Sequence, residues 1–156
     1  MSPDGTAIRA AGVDDAPDVA RLLHDFNREF DEPTPSVAVL GERGARLIAE
    51  GEITVLLAGT PPLGLALIRL RPSIWTGSAD AYLEELYVVP NKRGRGIGRA
   101  LLEAAMDRAR EAGAAHIDLN TGETDRAARG LYERAGFTNR EGGPDGPAML
   151  YYERDL

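Results

Sequence analysis

Cysteine is absent from the 156-residue chain. That excludes disulfides, cysteine-ligated zinc, iron–sulfur clusters and a thiol nucleophile. Histidine is scarce: His24 and His116 are the only two. A His-rich metal site is thereby excluded, and little is left for a Ser-His-Asp triad. Lysine occurs once, as Lys92, and every other basic residue is arginine. Basic charge is in the minority, with a formal net charge of −7, which argues against non-specific nucleic-acid binding. No apolar run approaches the roughly 20 residues of a membrane span. The start, Met1-Ser2-Pro3-Asp4-Gly5, has neither the basic nor the apolar region of a signal peptide, so the expected location is the cytoplasm.

What remains is ordinary for a soluble globule: 43% apolar and 28% charged residues. A chain of this length buries roughly 70% of its unfolded surface on folding, enough for a core without staples. No linker rich in Pro, Gly or Ser divides it, so one domain spanning 1–156 is expected. A short strand is expected over Ala7–Ala11. Asp14, Asp15 and Pro17 then signal a helix start, and Val19, Leu22, Leu23, Phe26 and Phe30 recur at helical spacing. Pro33 and Pro35 end that helix, and Ser36 caps a second one through residue 49. Ile53–Ala58 and Leu63–Leu70 read as a hairpin, followed by a loop with Ile74 and Trp75 and a long strand over Asp80–Val89. A helix over Gly98–Ala112, a strand over Ala115–Leu119 and a helix opened by Thr124 or Asp125 complete the pattern. Phe137–Arg140 and Ala148–Glu153 read as a final strand pair.

The informative segment runs from Tyr82 to Leu102: a strand, a turn containing Gly94, Gly96 and Gly98, and a helix start. Glycines let backbone N–H groups approach a ligand closely, and a helix N-terminus adds orphan donors and partial positive charge. Together they suit a phosphate, and Arg93, Arg95 and Arg99 add charge around it. A P-loop is excluded because no Lys-Ser or Lys-Thr follows the glycines. The dinucleotide fingerprint fails because Arg99 stands at its third glycine and the turn follows a hairpin and not an early βαβ unit.

A third pattern, Arg/Gln-x-x-Gly-x-Gly/Ala, is matched by Arg93, Gly96 and Gly98. It resembles the pyrophosphate-binding signature of the GNAT superfamily of acetyl-CoA-dependent N-acetyltransferases. Downstream, Asp125-Arg126-Ala127-Ala128-Arg129-Gly130-Leu131-Tyr132-Glu133-Arg134-Ala135-Gly136-Phe137 resembles that family's Asn-x-x-Ala-x-x-Leu-Tyr-Glu-Lys-x-Gly-Phe segment, with Asp125 in place of Asn. The resemblance covers the chain from Ala7 onwards, the first 50 residues by element order only. It implies an α/β fold: one GNAT-like domain with a mixed, mostly antiparallel sheet flanked by helices. It also implies acetyl-CoA as cosubstrate, without a metal. The cosubstrate would lie along the backbone of Tyr87, Val88 and Val89 and the turn Arg93, Gly94, Arg95, Gly96, Ile97, Gly98 and Arg99, with Asp125 and Tyr132 nearby. A homodimer is expected because such assemblies are common in the family.

Acetyl transfer to an amine poses two proton problems. A lysine-like amine has a pKa of about 10.4, so near pH 7 only about one molecule in 2,500 is neutral. The leaving thiolate, with a free pKa of about 8.5, departs more readily if protonated. Tyr132 is the candidate acid, because the family places this tyrosine by the cofactor sulfur and the stripe Ala128, Leu131, Tyr132, Ala135 faces inward. Glu84 and Glu85 are the candidate bases. Strand alternation would put them on opposite faces, and likeness to diamine and other small-amine acetyltransferases favours Glu84, as the base or as the anchor of the acceptor's ammonium, over Glu85. Phe30, Glu32 and Trp75 are weaker candidates for the acceptor site. The expected acceptor is a small cationic amine or an amino-acid-like molecule. The rival readings are a protein N-terminal or lysine acetyltransferase, and a non-catalytic acyl-CoA-binding or sensing domain.

Overall fold

The computed structural model describes all 156 residues. The chain divides into two compact units, Met1–Leu119 and Asn120–Leu156. The first unit holds β1 (Ile8–Ala10), α1 (Ala16–Glu29), α2 (Val37–Ala49), β2 (Thr54–Ala58), β3 (Gly64–Pro72), β4 (Ala79–Val88), α3 (Ile97–Glu111) and β5 (Ile117–Leu119). Its sheet has the order β1-β2-β3-β4-β5. The first four strands are antiparallel neighbours, and β5 is parallel to β4. A parallel neighbour needs a crossover, which α3 provides. No helix is long and apolar enough to cross a membrane.

Local sequence explains the boundaries. Pro17 lies in the first turn of α1, where its missing N–H is harmless. The expected carboxylate cap does not form: Asp15 instead accepts the Gly12 N–H and pairs with Arg9. That pairing holds the Asp15 carboxyl down at about 2. Ser36 does cap α2, its hydroxyl accepting the Val39 N–H. Period-2 alternation gives the sheet two apolar faces. On one, Val55, Leu57, Leu65, Leu67 and Tyr87 pack with Val19 and Leu22 of α1, with Leu47 and Ile48 of α2 at the margin. On the other lie Gly64, Val88 and the α3 residue Leu101.

Gly64 is where α3 comes closest to the sheet. A Cβ there would stand 2.6 Å from the Tyr87 carbonyl oxygen and 3.2 Å from Leu101 Cδ1. A backbone carbonyl held in a ladder cannot step aside. Gly64→Ala is therefore expected to cost about 1–3 kcal/mol. In urea titration the midpoint should fall with the slope unchanged.

The second unit contains α4 (Arg126–Arg134), whose N-terminus is capped by Asp125 through the Ala128 N–H at 3.0 Å. The expected final strand pair is not formed. Only one bridge, Arg140 to Ala148, joins the two segments. Positive φ angles at Gly142 and Gly143 and prolines at 144 and 147 shape the connection as a loop. A lone hairpin of two short strands is marginal even with good turn chemistry.

Candidate active site

The long strand β4 is interrupted in its pairing with β3. Leu67 lies opposite Glu85, but its neighbour Ile68 lies opposite Leu83. Glu84 is thus the extra residue of a β-bulge, a device that re-aims side chains. The consequence overturns the expected alternation. Tyr82, paired with Arg69, and Glu85, paired with Leu67, share the α1/α2 face with Tyr87. The Glu84 carboxylate also reaches that face, where Arg69 Nε donates to its Oε2. Both glutamates therefore work on one side of the sheet.

Their surroundings differ. Glu84 is ion-paired to Arg69 and half-buried. Burial, and secondarily the Glu84 charge, push Glu85 up to about 7, with no cation offsetting them. Further along the face, Arg71 holds Asp118 of β5 and stacks its guanidinium over the Tyr82 ring at 5.3 Å. On the other side of Glu85, Phe26 of α1 stacks on Tyr87 with ring centroids 5.0 Å apart. Burial and the Glu29 charge raise the Tyr87 phenol.

The edge of β4 is equally specific. β5 pairs with it only at Ala81, Tyr82 and Leu83, while β3 stays paired up to Val88. The Val89 N–H donates to Leu63 O at 2.9 Å. By the alternation of an antiparallel ladder, Tyr87 and Val89 then direct their backbone groups at β3, and Leu86 and Val88 direct theirs outward. Of the three expected backbone contributors only Val88 faces the splayed edge. Leu86, which sequence reasoning passed over, joins it. Parity would have found Leu86 had the register been known.

At the turn, Gly94 and Gly96 take left-handed conformations, φ +77° and +81°, which glycine adopts without steric cost. Gly96 is the residue before α3, so the N–H groups of Ile97, Gly98 and Arg99 open the helix without intrahelical acceptors. Pro3 packs on Gly96, its Cδ 2.7 Å from where a Cβ would stand. The arginines divide in role. Arg93 makes two 2.8 Å hydrogen bonds to Glu29 and donates from Nε to Val88 O, tying the turn to α1. Arg99 pairs with Glu103 one turn along its helix. Arg95 is exposed, and its charge helps lower the Asp4 carboxyl, after hydrogen bonds from Ser2 and Thr6.

Three acceptor candidates lie on the surface of the first unit. Trp75 and Ile74 are each 91% exposed in the β3–β4 loop. Phe30 is half-exposed, tilted against Phe26 at 5.4 Å, and Glu32 is exposed. In the second unit, Tyr132 and Leu131 of α4 are half-buried, and the Tyr132 ring meets Phe137 edge-on at 5.9 Å.

Most of the residues that build this sheet and the glycine turn lie inside the match to a known sequence family. The Acetyltransferase (GNAT) family model matches residues 17–137. The chain belongs to the GNAT acetyltransferases. Among its GNAT relatives, the N-acetyltransferase YhfO of Bacillus subtilis is 31% identical over 137 residues, 86% of this chain and 91% of that protein. The thialysine N-epsilon-acetyltransferase of Mus musculus is 29% identical over 153 residues, 88% of each chain. A crystal structure from Arthrobacter sp. FB24 assigned to the acetyltransferases has a TM-score of 0.90 and 44% identity, covering 100% of this chain and 99% of that one. The protein is accordingly an acyltransferase, and GNAT enzymes use acetyl-CoA as cosubstrate.

Proposed function

We propose that this GNAT enzyme transfers acetyl directly from acetyl-CoA to the nitrogen of a small primary amine, with Glu85 as the base and Tyr132 as the acid. The observation that carries the reading is the β4 bulge, which leaves one glutamate ion-paired and its neighbour half-buried without a cation, pushed up to about 7. A carboxyl poised at working pH is what removal of an ammonium proton requires. This reverses the order suggested by the sequence, where Glu84 stood first. Relatives name acceptors as different as thialysine and aminoglycosides, so the acceptor is chosen on this chain's own residues. Glu84 and Asp118 on this face are held by Arg69 and Arg71, and Glu85, which no cation offsets, suits a cationic amine.

The glycine turn and the N–H groups of Ile97, Gly98 and Arg99 would hold the pyrophosphate. The outward backbone groups of Leu86 and the Val88 N–H would take the pantetheine arm as an added strand, the Val88 carbonyl being engaged by Arg93 Nε. The thioester supplies an activated acyl carbon. Glu85 takes one proton from the ammonium, freeing the lone pair that forms the new N–C bond. As the C–S bond breaks, Tyr132 gives its proton to the thiolate, and the second proton shed by the nitrogen restores the phenol through solvent. Without cysteine the chain lacks the obvious residue to carry an acyl intermediate.

The test is free-thiol release from acetyl-CoA against polyamines, lysine-like amino acids, aminoglycosides, aryl amines and short peptides. Turnover is expected on small amines. Turnover on peptides alone would replace this reading with a protein acetyltransferase, and binding of acetyl-CoA without any turnover would replace it with a sensing domain.

A further inference from the structure

We infer that Arg69 is a positioning residue for this reaction: from β3 it holds the Glu84 carboxylate at the β4 bulge as a fixed anion beside Glu85, dividing two adjacent glutamates into a charge-setting group and a proton acceptor. The inference rests on the proposed role of Glu85.

The bulge makes the division necessary. In a regular strand the two carboxylates would face opposite sides of the sheet and barely sense each other. Here the extra residue at Glu84 turns both toward the α1/α2 face. Two free carboxylates so close would share protons, and neither would have a defined state. Arg69 resolves this because its own partner across the ladder is Tyr82, one position before the bulge. Its guanidinium is thus on the correct face and reaches Glu84 from the adjoining strand. An arginine suits the task because it cannot deprotonate in the working range. The Glu84 charge, held in place by Arg69, adds to burial in making Glu85 hold its proton more tightly.

The other ionisable groups on this face are held by other partners or lie away from the bulge. Arg71 from β3 is paired with Asp118 of β5 and stacked on Tyr82. Asp80 lies opposite Arg71 at the far end of β4. From α1, Glu29 is engaged by Arg93, and Asp25 acts on Tyr87 and stands 3.8 Å from His24. α2 offers the apolar Leu47 and Ile48 to the same cluster. Arg69 is therefore the cation whose removal bears on Glu84.

The experiment is the pH dependence of kcat/KM for the wild type, Glu84→Gln, Arg69→Met, Arg69→Lys and Glu85→Gln, each checked by thermal melting. Glu84→Gln removes the like charge and should move the acidic limb down by roughly 0.5–1 pH unit. Arg69→Met leaves the Glu84 charge uncompensated and should move the limb up by a similar amount. Arg69→Lys restores a cation and should bring the limb most of the way back. If Arg69→Met melts below assay temperature, the near-isosteric Glu84→Gln carries the test alone. Limbs that stay in place in the Glu84 and Arg69 variants, while Glu85→Gln abolishes the limb, would overturn the positioning role and leave Glu85 as base. A limb that survives Glu85→Gln would overturn the underlying reading itself.

Discussion

Glu85→Gln should be both nearly inactive and more stable than the wild type. The rate loss follows from the task. Proton transfer by a positioned group contributes about 10²–10⁴-fold, and the amide that replaces the carboxylate cannot accept a proton. The stability gain follows from linkage. Glu85 moves from an ordinary 4.5 to about 7 in the folded chain. Between those values the native state holds a proton that the unfolded chain has released, so stability falls as pH rises through the window. Above it the full cost of a half-buried, uncompensated carboxylate applies, about 3 kcal/mol at 1.36 kcal/mol per pH unit. An amide side chain avoids that cost while filling the same space. Near pH 8 the variant should melt roughly 6–10 °C above the wild type, and near pH 5 the two should nearly coincide. Paired melts at the two pH values check this, and a variant destabilised at both would show Glu85 to be held by contacts that matter more than its desolvation. Stability withheld at a reactive group is a common cost of function.

Tyr132→Phe is expected to lower kcat by about 10²-fold, the lower end of the acid–base range, because a thiolate with a pKa near 8.5 is already a fair leaving group. The ring packing against Phe137 survives the change, and the Asp125 cap on α4 is untouched. KM for acetyl-CoA should therefore change little, and the loss should lie in kcat. An acetyl thioester of a more acidic thiol supplies a diagnostic. Its thiolate needs less help, so the gap between wild type and Tyr132→Phe should narrow. An undiminished gap would mean that the hydroxyl acts on something other than the departing sulfur.

How far these residues could be read in advance depended on the range of the interaction. The turn was legible, because Gly94 and Gly96 occupy the left-handed conformations that only their lack of a Cβ makes easy. The caps at Ser36 and Asp125 were legible for the same local reason. The bulge was not. Tyr82-Leu83-Glu84-Glu85-Leu86-Tyr87 scans as unbroken alternation, and which residue is extra depends on pairing with β3, fifteen or more positions away. With the register hidden, Glu84 and Glu85 were assigned to opposite faces, and Leu86 was passed over for its neighbours. Arg93 was legible as a basic residue of the turn, but its partner Glu29 is 64 positions distant. The final strand pair shows the converse failure. Met149, Leu150, Tyr151 and Tyr152 have strand-forming character, yet composition does not supply a ladder to join, and all four are exposed.

The most direct measurement is the pH profile of kcat/KM, expressed on total amine, for wild type and Glu85→Gln with the best acceptor of the panel. A base that strips the ammonium makes the ionised carboxylate and the protonated amine the reacting pair. The wild-type profile should then rise with unit slope, bend at about 7, and stay level until the amine itself begins to titrate. The variant should depend on the rare neutral amine and climb without that bend toward the amine pKa of about 10.4. Two profiles of the same shape, differing only in height, would contradict the account, because the proton would then leave by a route in which Glu85 takes no part.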